Sequence, residues 1–299
     1  MRKLVGPVLV AVVLPALVLF LGCGDSNIKK AKTFHAEKQY AQAIHHYRLA
    51  LESDPENQIA RYGLIEAYAQ EVLDMHPEKL TPEVVAGVMT ELRPIAQPLM
   101  SDPNIKRYLS LIYQMIAKRY AEQGRDDLAA EAWAEVIQIE PTFAEAHFNR
   151  GLALLLVGRN EEALPNFEKS VALNPYFVKG YHAIGDVFIK LQRFDEAIQQ
   201  YDKALELNPE DPAIHHNLGQ AYLQKGDVDK AIAEFQNALE LEPGYILAYR
   251  SLHEAYENKG DKKKMQEIDE KWKKQTENYL QALQDSGALP GEAAPGEGS

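Results

Sequence analysis

From Ala144 to Gly260 apolar residues return every three or four positions in short blocks, and a brief polar or glycine-containing turn breaks each block. In 144–177, Phe148, Leu152 and Leu155 mark one amphipathic helix. Gly158-Arg159-Asn160 interrupts it, with Gly158 as a helix stop and Asn160 as the cap of the next helix. The spacing predicts a second helix from Glu161 to Leu173. It ends at Asn174-Pro175, because the residue before a proline avoids the helical region. The pair then recurs. Gly151, Gly185 and Gly219 lie 34 residues apart, as do Ala163, Ala197 and Ala231, Phe167, Tyr201 and Phe235, and Pro175, Pro209 and Pro243. Helical amphipathicity has a period near 3.6 and cannot produce four parallel series at one longer spacing. They mark a helical hairpin that has been copied. Gly151 and Ala163 let the two helix axes approach, and Phe167 fills the wider end. Such a hairpin leaves one apolar face bare, so it needs a neighbour, and stacking gives a continuous core.

The same phase extends in both directions. Residues 212–245 carry Leu218, Gly219, Tyr222, Ala231, Phe235, Ala238 and Pro243. Residues 110–143 carry Ala117, Tyr120, Gly124, Ala129, Trp133 and Pro141, and 24–57 carry Ala31, Phe34, Ala43, Tyr47, Ala50 and Pro55. This pattern resembles the tetratricopeptide repeat (TPR) family, whose 34-residue unit has small residues at positions 8 and 20 and proline at 32. The resemblance implies an all-α, right-handed TPR solenoid of antiparallel helical hairpins, with about six repeats and a C-terminal capping helix. The units are 24–57, an irregular expanded repeat at 58–109, then 110–143, 144–177, 178–211 and 212–245. A terminal helix pair follows at 246–284, and an acidic tail rich in glycine and proline at 285–299 is expected to be disordered. Within 58–109, Ile59 to Val72 reads as a first helix. Thr81-Pro82 opens another from Glu83, which should end near Arg93 because Pro94 and Pro98 follow.

The chain begins differently. Arg2 and Lys3 precede an uncharged run from Leu4 to Gly22, and Cys23, the sole cysteine, closes it. A basic start, an apolar run and small residues at the end are the parts of an export signal. An uncleaved anchor is the competing reading, since 19 residues just span a bilayer. Pro7 and Pro15 weaken that reading, because each removes a helix hydrogen bond. Phe20-Leu21-Gly22-Cys23 resembles a bacterial lipobox, although Phe20 stands where leucine is usual and Leu21 where a small residue is usual. The resemblance implies a signal peptide at 1–22 and a lipidated Cys23 as the mature N-terminus. The same resemblance implies, from Gly24 rather than an aspartate after the cysteine, the outer rather than the inner membrane, with the protein facing the periplasm.

Charge narrows the partners. Lys and Arg total 32 against 44 Asp and Glu, which argues against nucleic acid, whose phosphates require a basic stripe. The same balance disfavours lying flat on anionic lipid, so membrane contact should come from the N-terminus. One cysteine forms no internal disulfide, so packing alone holds the fold.

No nucleophile motif, phosphate loop or zinc spacing is present, and no cofactor is expected. The chain reads as a non-enzymatic interaction scaffold. In the TPR family, positions 2, 5, 6 and 9 of each first helix line the inner groove. The resemblance therefore assigns Phe148, Asn149, Lys179, His182, Asp186, His216, Asn217, Gln220 and Arg250 to a partner-binding groove. An amide both donates and accepts, so Asn149 and Asn217 suit an extended peptide backbone. Phe148 offers an apolar anchor and Arg250 a carboxylate contact. His182, Asp186 and His216 together would also suit a metal, though ordinary polar groove residues are the simpler account. The terminal-carboxylate clamp of chaperone-binding relatives is incomplete: Asn149 and Lys179 occupy two of its positions, but Phe148, Leu152 and Ala183 occupy others. The expected role is a lipid-anchored adaptor for an envelope complex serving pili or secretion, polysaccharide export or cell-wall enzymes. A structural homo-oligomeric subunit is the main alternative, and a metal-dependent accessory enzyme the remoter one.

Overall fold

The 34-residue series sets the spacing of the helices in the computed structural model, which describes residues 26–75, 79 and 81–286. The leader, Cys23 and residues 287–299 lie outside the described residues. The helices pair in chain order: α1 (Ser26–Ala36) with α2 (Tyr40–Ser53), and α3 (Gln58–Asp74) with α4 (Pro82–Ala96), which runs into a 3-10 turn at Gln97–Leu99. Next come α5 (Pro103–Glu122) and α6 (Asp126–Ile139), then α7 (Ala144–Leu156) with α8 (Asn160–Leu173), and α9 (Val178–Lys190) with α10 (Phe194–Leu207). α11 (Pro212–Lys225) with α12 (Val228–Leu241) and α13 (Ile246–Lys259) with α14 (Lys262–Asp285) complete the order, with no strand among the described residues. The chain forms two compact units, to Tyr108 and from Leu109.

In the second unit every helix from α6 to α14 packs on the next, and α7, α9, α11 and α13 also touch one another across the pairs. That direct contact puts the first helices on the inner side of the stack. The glycine series has a sharper role than close helix approach. A Cβ at Gly151 would lie 2.7 Å from Cε1 of Phe167, and one at Gly219 would lie 2.6 Å from Cε1 of Phe235. Gly185 faces the ring of Tyr201 in the same way. Each glycine is the seat of its own unit's aromatic ring. Ala163, Ala197 and Ala231 are fully buried, and so are Phe167 and Phe235.

Two further periodic features join the units. Backbone φ is positive at Lys38, Gly124, Gly158, Gln192, Gly226 and Gly260, all at position 15 of their units. The hairpin turn needs a left-handed residue there, and Lys38 and Gln192 adopt it without being glycine. At position 4, His147, His215 and Tyr249 each hydrogen-bond the carbonyl of the proline that ends the preceding unit, Pro141, Pro209 and Pro243, at 3.0, 3.0 and 3.2 Å.

Three boundaries differ from the sequence expectation. Asn160 is the first helical residue rather than the cap, and Arg159 precedes it without a side-chain capping bond. α4 passes through Pro94 and ends at Ala96, because the fully buried Leu92 and the nearly buried Ala96 hold its last turns in the core. α14 continues to Asp285, so the helix takes the first residue assigned to the tail. The extra length of 58–109 goes into a 17-residue α3, the link to α4, the 3-10 turn and an α5 that starts at Pro103.

In the first unit Glu91 on α4 accepts from Arg48 Nε on α2 at 2.6 Å and from the Tyr68 hydroxyl on α3 at 2.7 Å. This fastens the irregular α4 to its two neighbours. Gly63 on α3 seats the ring of Tyr47 from the pair before it.

Candidate functional site

The groove candidates fall on α7, α9, α11 and α13, and their hydrogen bonds run across the helices. The Tyr201 hydroxyl donates to Asp186 Oδ1 at 2.6 Å. Asn217 Nδ2 donates to the same oxygen at 3.2 Å and approaches His182 Nε2 at 2.8 Å. Asn217 Oδ1 lies 3.1 Å from His216 Nδ1, and His216 Nε2 lies 3.0 Å from Ser251 Oγ. Gln220 Nε2 donates to Ser251 Oγ at 2.7 Å. One chain of donors and acceptors therefore links three successive first helices and α10.

Its polarity is self-consistent. An amide nitrogen only donates, so Nε2 of His182 accepts from Asn217. Asn217 Oδ1 only accepts, so His216 carries its proton on Nδ1 and takes the Ser251 hydroxyl proton at Nε2. Burial pushes the His216 imidazole below its ordinary 6.5, partly offset by the Asn217 bond. Burial, with the neighbouring Asp186, pushes the Tyr201 hydroxyl far up, so it stays a donor. The neutral imidazole is thus the form the fold requires.

A pH dependence follows. Because the folded-state pKa of His216 is depressed, the unfolded chain binds more protons as pH drops below 6.5. Stability is full above that value and is lost as pH falls through the depressed one. The thermal midpoint of the wild type should fall from pH 7.5 to pH 5.5 by more than that of His216→Gln. Taking the difference between the two proteins cancels the other titrating groups. Equal falls in both would remove His216 from the account.

The network leaves unequal roles along the groove. Both Asn217 amide hydrogens are spent, so this residue builds the groove floor, with one lone pair of Oδ1 left over. Asn149 is half-buried and makes no side-chain hydrogen bond among the described residues. Phe148 beside it packs against Phe167 and Phe177, with ring centroids 5.6 and 4.9 Å apart. Lys179 and Arg250 are exposed and have no ion pair among the described residues. His216, Gln220, Leu247, Arg250, Ser251 and Glu254 line a cavity of about 470 Å³, together with Trp272 of α14. His182, Asp186 and His216 meet through Asn217 rather than around a common point. Among the described residues no group of three or more His, Cys, Asp or Glu could hold a metal ion.

Sequence reasoning reached most of this set and missed Tyr201. Tyr201 carries the one hydroxyl in a series otherwise filled by Phe167 and Phe235, and Asp186 stands opposite it, where the neighbouring units have Leu152 and Gln220. That pairing was the available signal. Ser251, a groove position in the last unit, is buried as the joint between His216 and Gln220.

Stacked helical pairs with an inner face of first helices define a repeat scaffold that works by binding other proteins. The family follows from the matches. Tetratricopeptide repeat models match 29–72 and 144–177, and a TPR repeat model matches 117–158, 185–226 and 219–260. The chain belongs to the tetratricopeptide repeat family. Among solved structures it is similar to one titled crystal structure of MamA, at 26% identity and a TM-score of 0.50, covering 56% of this chain and 97% of that one. A second, titled crystal structure of MamA protein, shares 25% identity with a TM-score of 0.51, covering 62% and 98%. MamA from Desulfovibrio magneticus RS-1, at 24% identity and a TM-score of 0.52 over 56% of this chain and 94% of that one, agrees in fold. Comparison with curated proteins finds no match.

Proposed function

We propose that this protein is a non-enzymatic adaptor, tethered to the bacterial envelope by an acylated Cys23, that holds segments of partner proteins along the inner face of 144–260. Its role is to assemble or localise an envelope complex of the pilus or secretion, polysaccharide-export or cell-wall class. The observation that supports this reading is the satisfied floor of the groove. His182, Asp186, His216, Asn217, Gln220 and Ser251 pair among themselves, so the face is preorganised before a ligand arrives. Recognition then falls to the groups left unpaired at its two ends: Phe148, Asn149 and Lys179 at one, Leu247 and Arg250 beside the cavity at the other.

Asn149→Ala combined with Arg250→Ala tests this without touching the floor. A partner group left unpaired in a buried contact costs about 1–3 kcal/mol, so recovery of partners from detergent-solubilised membranes should drop tenfold or more. Helix content should not change. The structural-subunit reading has one observation in its favour: α14 exposes Trp272, Tyr279 and Leu280. It expects the double variant to retain every association, and full retention would move the interface off the groove.

A further inference from the structure

We infer that α1 is a docking surface for anionic phospholipid, working beside the Cys23 anchor; the inference rests on the tethered-adaptor reading above. The overall acidity of the chain conceals a local reversal. From Gly24 to Leu51 there are five bases, Lys29, Lys30, Lys32, Lys38 and Arg48, against Asp25 and Glu37, so the whole acid excess lies further along. Arg48 is taken up by Glu91, but the four lysines are exposed and none has an ion pair among the described residues. Ile28 and Ala31 bury the opposite face of α1 against its neighbours, which leaves Lys29 and Lys30 on the outward side.

Covalent reach supplies the second observation. Only Gly24 and Asp25 separate Cys23 from Ser26, so α1 begins within about 10 Å of the anchored residue however those two are arranged. That is about one Debye length at physiological salt. Charges at this distance from a headgroup layer act on it, while most of the acidic remainder is screened. An acyl chain alone fixes one point and leaves the protein to swivel. Lysine contacts to lipid phosphates would set which end of the chain faces the bilayer.

The test uses full-length protein reconstituted into phosphatidylcholine vesicles and into vesicles of phosphatidylcholine and phosphatidylglycerol at 3:1. Flotation scores attachment, and amine-modification rates read by mass spectrometry score docking, with exposed Lys169 as internal control. On the anionic vesicles at low salt, Lys29, Lys30, Lys32 and Lys38 should react about tenfold more slowly than on phosphatidylcholine. Half-molar salt should abolish the difference, and in Lys29→Gln, Lys30→Gln, Lys32→Gln protein Lys38 should lose its protection. Flotation with both vesicles but equal lysine rates overturns the docking surface and leaves the anchor standing. Flotation with neither overturns the anchor reading and this inference together.

Discussion

Phe235→Ala should destabilise the protein by about 3–5 kcal/mol, the cost of emptying a large aromatic site in a core that relaxes poorly. Phe235 is fully buried between Ala231, Leu252 and Tyr256. The residue that faces its ring is Gly219, which has no side chain to move into the void. The loss should be local, because each repeat contacts only its neighbours. Hydrogen exchange should show α11 to α13 opening first while α7 and α8 keep their protection. Denaturant unfolding gives the magnitude. A cost under about 1 kcal/mol would mean that the ring is not the wedge between the two helices.

On the anchored reading, Cys23→Ser should leave an unprocessed precursor that takes up no acyl label. The effect is all or none, since acyl chains on one cysteine provide anchoring that a single protein contact does not. Metabolic labelling with a fatty acid, followed by membrane fractionation, reads both consequences. If the variant is still cleaved at the same bond and remains on the membrane, the lipobox reading fails. The basic face of α1 would then lack the tether that brings it to lipid.

The repeat architecture was legible because its constraints recur. A ring seated on a glycine, a left-handed turn and a terminal proline each leave a mark every 34 residues, and the family matches fall on those units. Boundaries were less legible where one site broke the rule. Pro94 should have ended α4, but burial of Leu92 and Ala96 outweighs one lost hydrogen bond. Lys38 and Gln192 conceal a turn that elsewhere announces itself with glycine. In the groove, position along the helix picked the candidates, and it could not tell which of them are already occupied. Asn149 and Asn217 stand at the same position of their units. Asn217 finds His182, Asp186 and His216 within reach, whereas Asn149 has Phe148 beside it. Partner identity leaves no such mark, because it depends on a surface belonging to another molecule.

The groove itself is open to a direct measurement. A photo-crosslinking residue placed in living cells at Asn149 or at Arg250 would report what lies against the inner face. The same residue at Lys169 or Lys203, on α8 and α10, would report the outer one. The adaptor reading expects discrete protein adducts from the two groove positions and none above background from the outer pair. Adducts from Lys169 and Lys203 alone, with Asn149 and Arg250 silent, would contradict it.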